Sequence, residues 1–384
     1  MLLISIDTLR ADRLGCYGYA RPTTPALDRF AKERAVRFAD ATAEAPWTLP
    51  SHVTMLSGLH PLTHGVRQPD DAPSEEVALL AERLAATHWG FALTDGGWLS
   101  AEWGFARGFR SFQSVDQDIE RAVAQTLAIV REREGKGPWF GFLHTYDVHC
   151  PYDPPPPYRD TFASVGAEPI ETAGRCGNPD YNAMALTPGQ ARTLSDRYDE
   201  DVRRVDDSLA RLFAAFDALD LWEHTVVIVT ADHGEEFLEH GQIGHERTVS
   251  REVLAIPLLV HAPGVAPRVE SRTVGLADLV PTVLELTGVD SPARVDGRSL
   301  VPLLRGQGDP ARPDEVLSEL AWQVERMART ADGVHAELDL GEEGGDPELR
   351  AELTKARARL LEAGYKPRPV QASGRAAELR RLGY

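Results

Sequence analysis

The stretch TVVIVTADHG, Thr225 to Gly234, decides the fold. A run of Val and Ile without polar alternation reads as a strand buried on both faces, the kind found in parallel sheets covered by helices. It finishes on Asp232 and His233, two side chains able to ligate a metal, beside Gly234, which permits a tight turn. A carboxylate at a strand end is, taken alone, more often a turn or helix-cap residue. An Asp-His pair at the end of so apolar a strand argues instead for a site, because ligands of open parallel sheets collect outside the carboxyl ends of the strands.

Working outward, LLISID (Leu2 to Asp7) is a second buried-type run, and it too ends on a carboxylate. VRFADAT, WFGFLHTY and IPLLVHAPG are further strand-like pieces, while TPALDRFAKERA and the long LSDRYDEDVRRVDDSLARLFAAFDAL carry helical periodicity. Strands alternating with helices give an α/β fold with a central, mostly parallel sheet flanked by helices. Residues 1–312 read as the main α/β domain, including a Pro-rich loop or lid at about 151–188 that carries no period. Residues 313–384 read as a small C-terminal α+β subdomain of short alternating segments and one charged helix.

Of the 384 residues, 42% are hydrophobic and 26% charged, which describes a chain able to bury a substantial core. A net charge of −18 repels phosphate backbones and anionic lipid, so neither nucleic acid nor a membrane surface is an expected partner, and an anionic small substrate needs a local cation. No stretch approaches the roughly 18 apolar residues of a membrane span, and MLLISID lacks the basic flank of a secretory signal. The chain as given therefore reads as cytoplasmic, or as secreted or periplasmic if a leader has been removed. Cys16, Cys150 and Cys176 include no CxxC pair and read as free thiols.

In APWTLPSHVTMLSGLHP (Ala45 to Pro61), Pro50 suits a first helical turn and Gly58 a stop, which places Thr48 at a helix entrance. Backbone N–H groups and the positive end of the helix dipole lower the energy of an anion there. The plainer reading of Thr48 is a helix cap.

The blocks ISIDTLRADRLGCYGYARPTTPALDRFA, APWTLPSHVTMLSGLHPLTHGV, FLHTYDVHCPY, TADHGEEFLEHGQIGH, IPLLVHAPG and ADLVPTVLELTGVDSPARVDGRSLVPLL resemble, in order, those of the sulfatase family within the alkaline-phosphatase superfamily. They span most of residues 2–305, and the ending LRRLGY resembles the tail of many bacterial members. The resemblance implies an alkaline-phosphatase-like sheet, a smaller C-terminal domain and metal-assisted cleavage of sulfate or phosphate esters. It assigns Asp7, Asp232 and His233 as metal ligands and Thr48 as nucleophile and metal contact. It puts His52, His149 and His245 around the transferred group, as cationic or hydrogen-bonding residues.

The departures from the family pattern carry as much. Where formylglycine sulfatases resemble Cys-x-Pro-Ser-Arg, this chain has Thr48-Leu-Pro-Ser-His52. A Thr, with its extra methyl on Cβ, cannot be oxidised to that aldehyde, so no formylglycine is expected. Asp7 is followed by Thr8 instead of a second Asp, and Asp232 by His233 instead of Asn. Losing a carboxylate and gaining an imidazole favours Zn²⁺ or Mn²⁺, with Ca²⁺ possible. A sulfo-threonine lacks the aldehyde's elimination route, whereas a phospho-threonine can be attacked at phosphorus. Cleavage or transfer of phosphate or phosphonate (di)esters is thus favoured, with substrates that include glycan or lipid-headgroup esters. Two alternatives stand beside it: a sulfuric ester hydrolase acting without formylglycine, and a catalytically silent protein binding an anionic ligand.

Around these positions, Arg10 and Arg13 read as loop ties to acidic neighbours and His144 as a packed or supporting histidine. His60 and His64 read as loop residues, and Glu235 with Glu236 as a solvated helix start. Trp98 and Trp103 serve as substrate walls or as core.

Overall fold

The computed structural model describes residues 1–172, 185–290, 294–309, 315–321, 325–331, 333–341, 345–362 and 364–370. Strands are numbered in chain order: β1 Leu2–Ile6, β2 Val36–Thr42, β3 Asp71–Ala72, β4 Trp89–Thr94, β5 Ser111–Ser114, β6 Trp139–Thr145, β7 Val227–Thr230, β8 Glu236–Phe237, β9 Ile243–Gly244, β10 Ala255–His261, β11 Arg268–Gly275, β12 Glu315–Leu320, β13 Arg326–Ala331, β14 Val334–Asp339 and β15 Arg368–Pro369. Eight of them make the central sheet in the order β11-β2-β10-β7-β1-β6-β4-β5. β7, β1, β6, β4 and β5 pair in parallel, and so do β11 and β2, while β10 runs antiparallel to both of its neighbours. The sheet is therefore mostly parallel, with one reversed strand.

The apolar runs read from the sequence are its middle. All five residues of β1 are 0% exposed, and each fully buried Leu or Ile contributes about 1.5–3 kcal/mol. The helices Pro25–Glu33, Ile119–Glu132 and Pro188–Ala218 pack together as one flanking group, and Thr48–Ser57 packs with Leu279–Thr287 as another.

β12, β13 and β14 form a separate antiparallel sheet, joined by the helix Pro347–Glu362 around Leu62, Met327, Leu338, Leu349 and Leu353. Ser318 Oγ donates to Ala43 O at 2.6 Å and Glu319 N to Glu44 O at 2.9 Å, which pins this sheet to the main body, and β15 returns to pair with β3. The expected boundary at 312/313 and the ending LRRLGY lie outside the described residues, as does part of the 151–188 segment. Among the described residues no helix is long and apolar enough to cross a membrane.

Cys150 is disulfide-bonded, which corrects the free-thiol reading for that residue; Cys16 is free, and Cys176 lies outside the described residues.

Candidate active site

β1 lies between β7 and β6, so their carboxyl ends deliver Asp7, Asp232 with His233, and His144 to one place. Gly234 is required there by close approach: a Cβ would stand 2.1 Å from Glu252 O. The helix Thr48–Ser57 enters the same place end-on. Its cap, Trp47, is extended and offers no side-chain bond, every residue of the helix is buried, and Gly58 stops it at φ 74°.

Thr48 is the first helical residue, and its Oγ1 lies 3.3 Å from Asp7 Oδ2 and 3.3 Å from His233 Nε2. The hydroxyl is thus beside two of the three expected ligands. His233 Nε2 is in turn 3.2 Å from Asp232 Oδ2, and its Nδ1 bonds its neighbour's carbonyl, Gly234 O, at 2.9 Å. Asp7 Oδ1 and Asp232 Oδ2 are buried carboxylate oxygens with no hydrogen-bond donor. Burial pushes the Asp7 carboxyl up to about 7 against the pull of His245, and burial followed by the neighbouring Asp7 pushes Asp232 up as well. Two crowded, desolvated carboxylates aimed at one imidazole nitrogen form a donor set that fits a divalent cation. One ligand atom each from Asp7, Asp232 and His233 lies within 4.8 Å of the others. Thr8, where the family pattern has a second Asp, turns its hydroxyl back to Asp7 O at 2.7 Å. It is a β-branched residue at φ 57°, held there by Thr8 N to Asp232 Oδ1 at 3.3 Å and by Tyr198 on its carbonyl at 2.8 Å.

The histidines divide. His52, one turn beyond Thr48, has Nδ1 2.9 Å from Thr48 O and 3.3 Å from Asp232 Oδ2, and Nε2 2.9 Å from Ser5 Oγ. The i, i+4 spacing carries it beside Asp232 and against β1. Burial, then His144, holds it well below the usual histidine range, so it is neutral. With the proton on Nδ1 it donates to Thr48 O and accepts from Ser5, standing beside Asp232 without a hydrogen bond to it. His144 Nε2 is 3.4 Å from Asp7 Oδ2, and burial lowers it to about 3, matching its reading as a supporting residue.

His149 and His245 stand together on the other side, ring centroids 5.3 Å apart, and His245 lies 4.4 Å from the His233 ring. Burial and the neighbouring His245 charge lower His149 to about 4. His245 goes the other way: burial opposes its charge, but Glu235 at 3.0 Å, with Glu246 and Asp7, outweighs it and raises it to about 9. It is the one imidazolium among these histidines at neutral pH.

Glu235 and Glu236 are buried, and Glu236 sits in a strand, which corrects the solvated-helix reading. The signal that could have found Glu235 was its proximity in sequence to both His233 and His245. Arg10 meets Asp12 and Glu239, and Arg13 meets Asp199, as loop ties. Trp98 and Trp103 are core, stacked edge-on at 5.1 Å. His60 caps the short helix Pro61–His64 and His64 ends it, both buried, which corrects the loop reading for His64.

The sulfatase family model matches residues 1–289, three quarters of the chain. The chain belongs to the sulfatase family. It is 30% identical over 219 residues to the multifunctional alkaline phosphatase superfamily protein PehA of Trinickia caryophylli, covering 49% of this chain and 41% of that protein. It is 24% identical over 353 residues to the ulvan-active sulfatase of Formosa agariphila, covering 83% of this chain and 67% of that protein. The chain spans less than half the length of several curated relatives it matches. The fold matches the phosphonate monoester hydrolase SpPMH from Silicibacter pomeroyi with a TM-score of 0.74, at 20% identity and 94% coverage of both chains. Sulfatase-family enzymes use a divalent metal, and the Asp7, Asp232 and His233 cluster is where this member can hold one.

Proposed function

We propose that this chain is a metal-dependent hydrolase or transferase of monoanionic phosphonate or phosphate esters in which Thr48 is the nucleophile. The observation that carries this is the Thr48 hydroxyl within 3.3 Å of both Asp7 Oδ2 and His233 Nε2, at a helix entrance and on a residue that cannot become formylglycine. Asp7, Asp232 and His233 would hold the ion. When bound, a divalent cation supplies a lowered pKa for a nearby hydroxyl and charge neutralisation of a substrate oxygen.

The chain's own residues do the rest. Asp7 Oδ2 accepts the Thr48 hydroxyl hydrogen bond and orients Oγ1 for in-line attack. The Thr48 proton passes to Asp7 Oδ2 as the Oγ1–phosphorus bond forms, the bond to the leaving oxygen breaks, and protonated His245 is the group able to hand that oxygen a proton. Water, or a second alcohol, then attacks phosphorus and gives its proton to the now neutral His245, the Oγ1–phosphorus bond breaks, and Oγ1 takes its proton back from Asp7. His52 Nδ1 bonds Thr48 O and stands 3.3 Å from Asp232 Oδ2, which ties the helix entrance to that carboxylate's side of the site.

Charge supports the substrate class. Glu235 is held ionised by His245, and burial raises Glu246 to about 8, leaving it neutral. Asp7, Asp232 and Glu235 against one imidazolium and one divalent ion balance to zero before substrate binds. A monoanion is accommodated with less repulsion than a phosphate monoester dianion. Sulfate esters are also monoanions, and the likeness to an ulvan-active sulfatase gives weight to sulfuric ester hydrolysis without formylglycine as the second reading. A disulfide at Cys150 favours an oxidising compartment, secreted or periplasmic, over the cytoplasm.

The test is a panel of 4-nitrophenyl esters with Mn²⁺ or Zn²⁺, read beside intact mass after a short reaction. The expected result is faster release from phenylphosphonate and phosphodiester than from sulfate or phosphate monoester, with a phosphonyl or phosphoryl adduct on Thr48. Faster release from the sulfate hands the assignment to the second reading. No turnover of any ester leaves a binding protein.

A further inference from the structure

We propose that Glu235 is a positioning residue that fixes His245 over the site and couples it to the segment following His149. The inference rests on the ester-hydrolase reading. Glu235 Oε1 lies 3.0 Å from His245 Nδ1, and Oε2 accepts the Tyr152 hydroxyl at 2.8 Å, so both oxygens of one carboxylate are engaged. Tyr152, Glu235 and His245 are 1%, 0% and 5% exposed. An uncompensated carboxylate is not kept at such depth, and a carboxylate bonded at both oxygens has a fixed direction.

The carboxylate's origin is fixed too. Glu235 N donates to Glu252 O at 3.2 Å, and its carbonyl accepts from Arg10 at 2.9 Å. Tyr152 is an aromatic residue at φ 46°, a backbone state that persists only where its surroundings over-determine it. Its ring is held against Tyr198 and Phe237, at 6.2 and 5.5 Å, and its hydroxyl by Glu235. Tyr152 follows His149 by three residues, and His245 is carried by the turn after β9. One side chain thus bridges the two segments that place His149 and His245 5.3 Å apart. Losing it frees the His245 ring to rotate away from His233 and lets the Tyr152 segment relax. Glu235 acts through His245, which distinguishes it from a group contacting substrate.

The variants are Glu235→Ala, Glu235→Gln and Tyr152→Phe, in the metal-loaded full chain. Gln offers a carbonyl oxygen to His245 Nδ1–H and an amide to Tyr152, which keeps the geometry and removes the charge. Glu235→Ala is expected to lower kcat/KM on 4-nitrophenyl phenylphosphonate, whose leaving group needs no proton from His245, about 10- to 100-fold, with Glu235→Gln returning it to within about threefold. Calorimetric titration with inorganic phosphate supplies a readout that needs no turnover: Kd is expected to weaken about fivefold in Glu235→Ala and to recover in part in Glu235→Gln. Wild-type values in Glu235→Ala overturn the proposal. So does a folded Glu235→Gln as impaired as Glu235→Ala, since charge and not position would then be the contribution. Should Glu235→Ala not fold, Tyr152→Phe carries the test: a severalfold loss of kcat/KM supports the coupling, and an unchanged value refutes it. If wild type cleaves no ester yet phosphate binding follows this pattern, the ester-hydrolase reading fails while the positioning role stands.

Discussion

Asp7→Asn tests the reading of the metal cluster through stability and not through activity. Asp7 is fully buried beside Asp232, and its carboxyl stands at about 7 where 3.8 is ordinary. A carboxyl whose folded value lies above its unfolded one leaves stability intact below about pH 4 and withdraws it as the pH climbs through about 7. At pH 8, without metal, the buried charge therefore costs on the order of 4 kcal/mol. Unfolding entropy of about 2.1 cal/mol/K per residue over 384 residues turns that into a Tm difference of about 5 °C. In EDTA at pH 8, Asp7→Asn is expected to melt up to that much higher than wild type, and at pH 5 the gap is expected to shrink. Mn²⁺ at a hundred times its Kd adds about 2.7 kcal/mol to whatever binds it, roughly 3 °C for wild type and nothing for the variant. Differential scanning fluorimetry across the four conditions measures both effects. A metal-free Asp7→Asn that melts below wild type, or a wild type indifferent to Mn²⁺, Zn²⁺ and Ca²⁺ alike, refutes the reasoning.

Thr48→Ala is expected to lower kcat/KM at least ~10³-fold and Thr48→Ser less than about tenfold. Because both hydroxyl contacts are long at 3.3 Å, neither variant should move Tm by more than about 1 °C, so a folded Thr48→Ala retaining a tenth of wild-type activity removes Thr48 from the mechanism. Far from this site, Glu44 accepts from Leu276 N and Ala277 N at 3.0 Å, yet burial raises its carboxyl to about 8. Its folded value exceeds its unfolded one, so it draws off about 1 kcal/mol of stability per pH unit between about pH 5 and 8. Glu44→Gln is expected to flatten that slope in urea melts, and an unchanged slope contradicts the protonated state.

What could be read in advance, and what could not, follows from how far apart in sequence the compensating groups lie. β1 and β7 were legible because burial on both faces leaves an unbroken apolar record, and the two acids that end them inherit the sheet's rule for where ligands collect. The Thr48 helix was legible because Pro50 and Gly58 act within a turn of their own positions. For His52 the motif fixes its distance from Thr48 along the chain, but only the helix axis decides that one turn onward lies beside Asp232. Glu235 fails differently. GEEFLEHG has the composition of a solvated helix start, and the one local hint, His233 two residues before Glu235, does not say that the carboxylate is buried. The imidazolium that makes its burial tolerable is ten residues later, and the tyrosine that takes its second oxygen is 83 residues earlier. A buried charge is invisible to any window shorter than the distance to its partner, and burial is also what gives a charge its leverage on a neighbouring group.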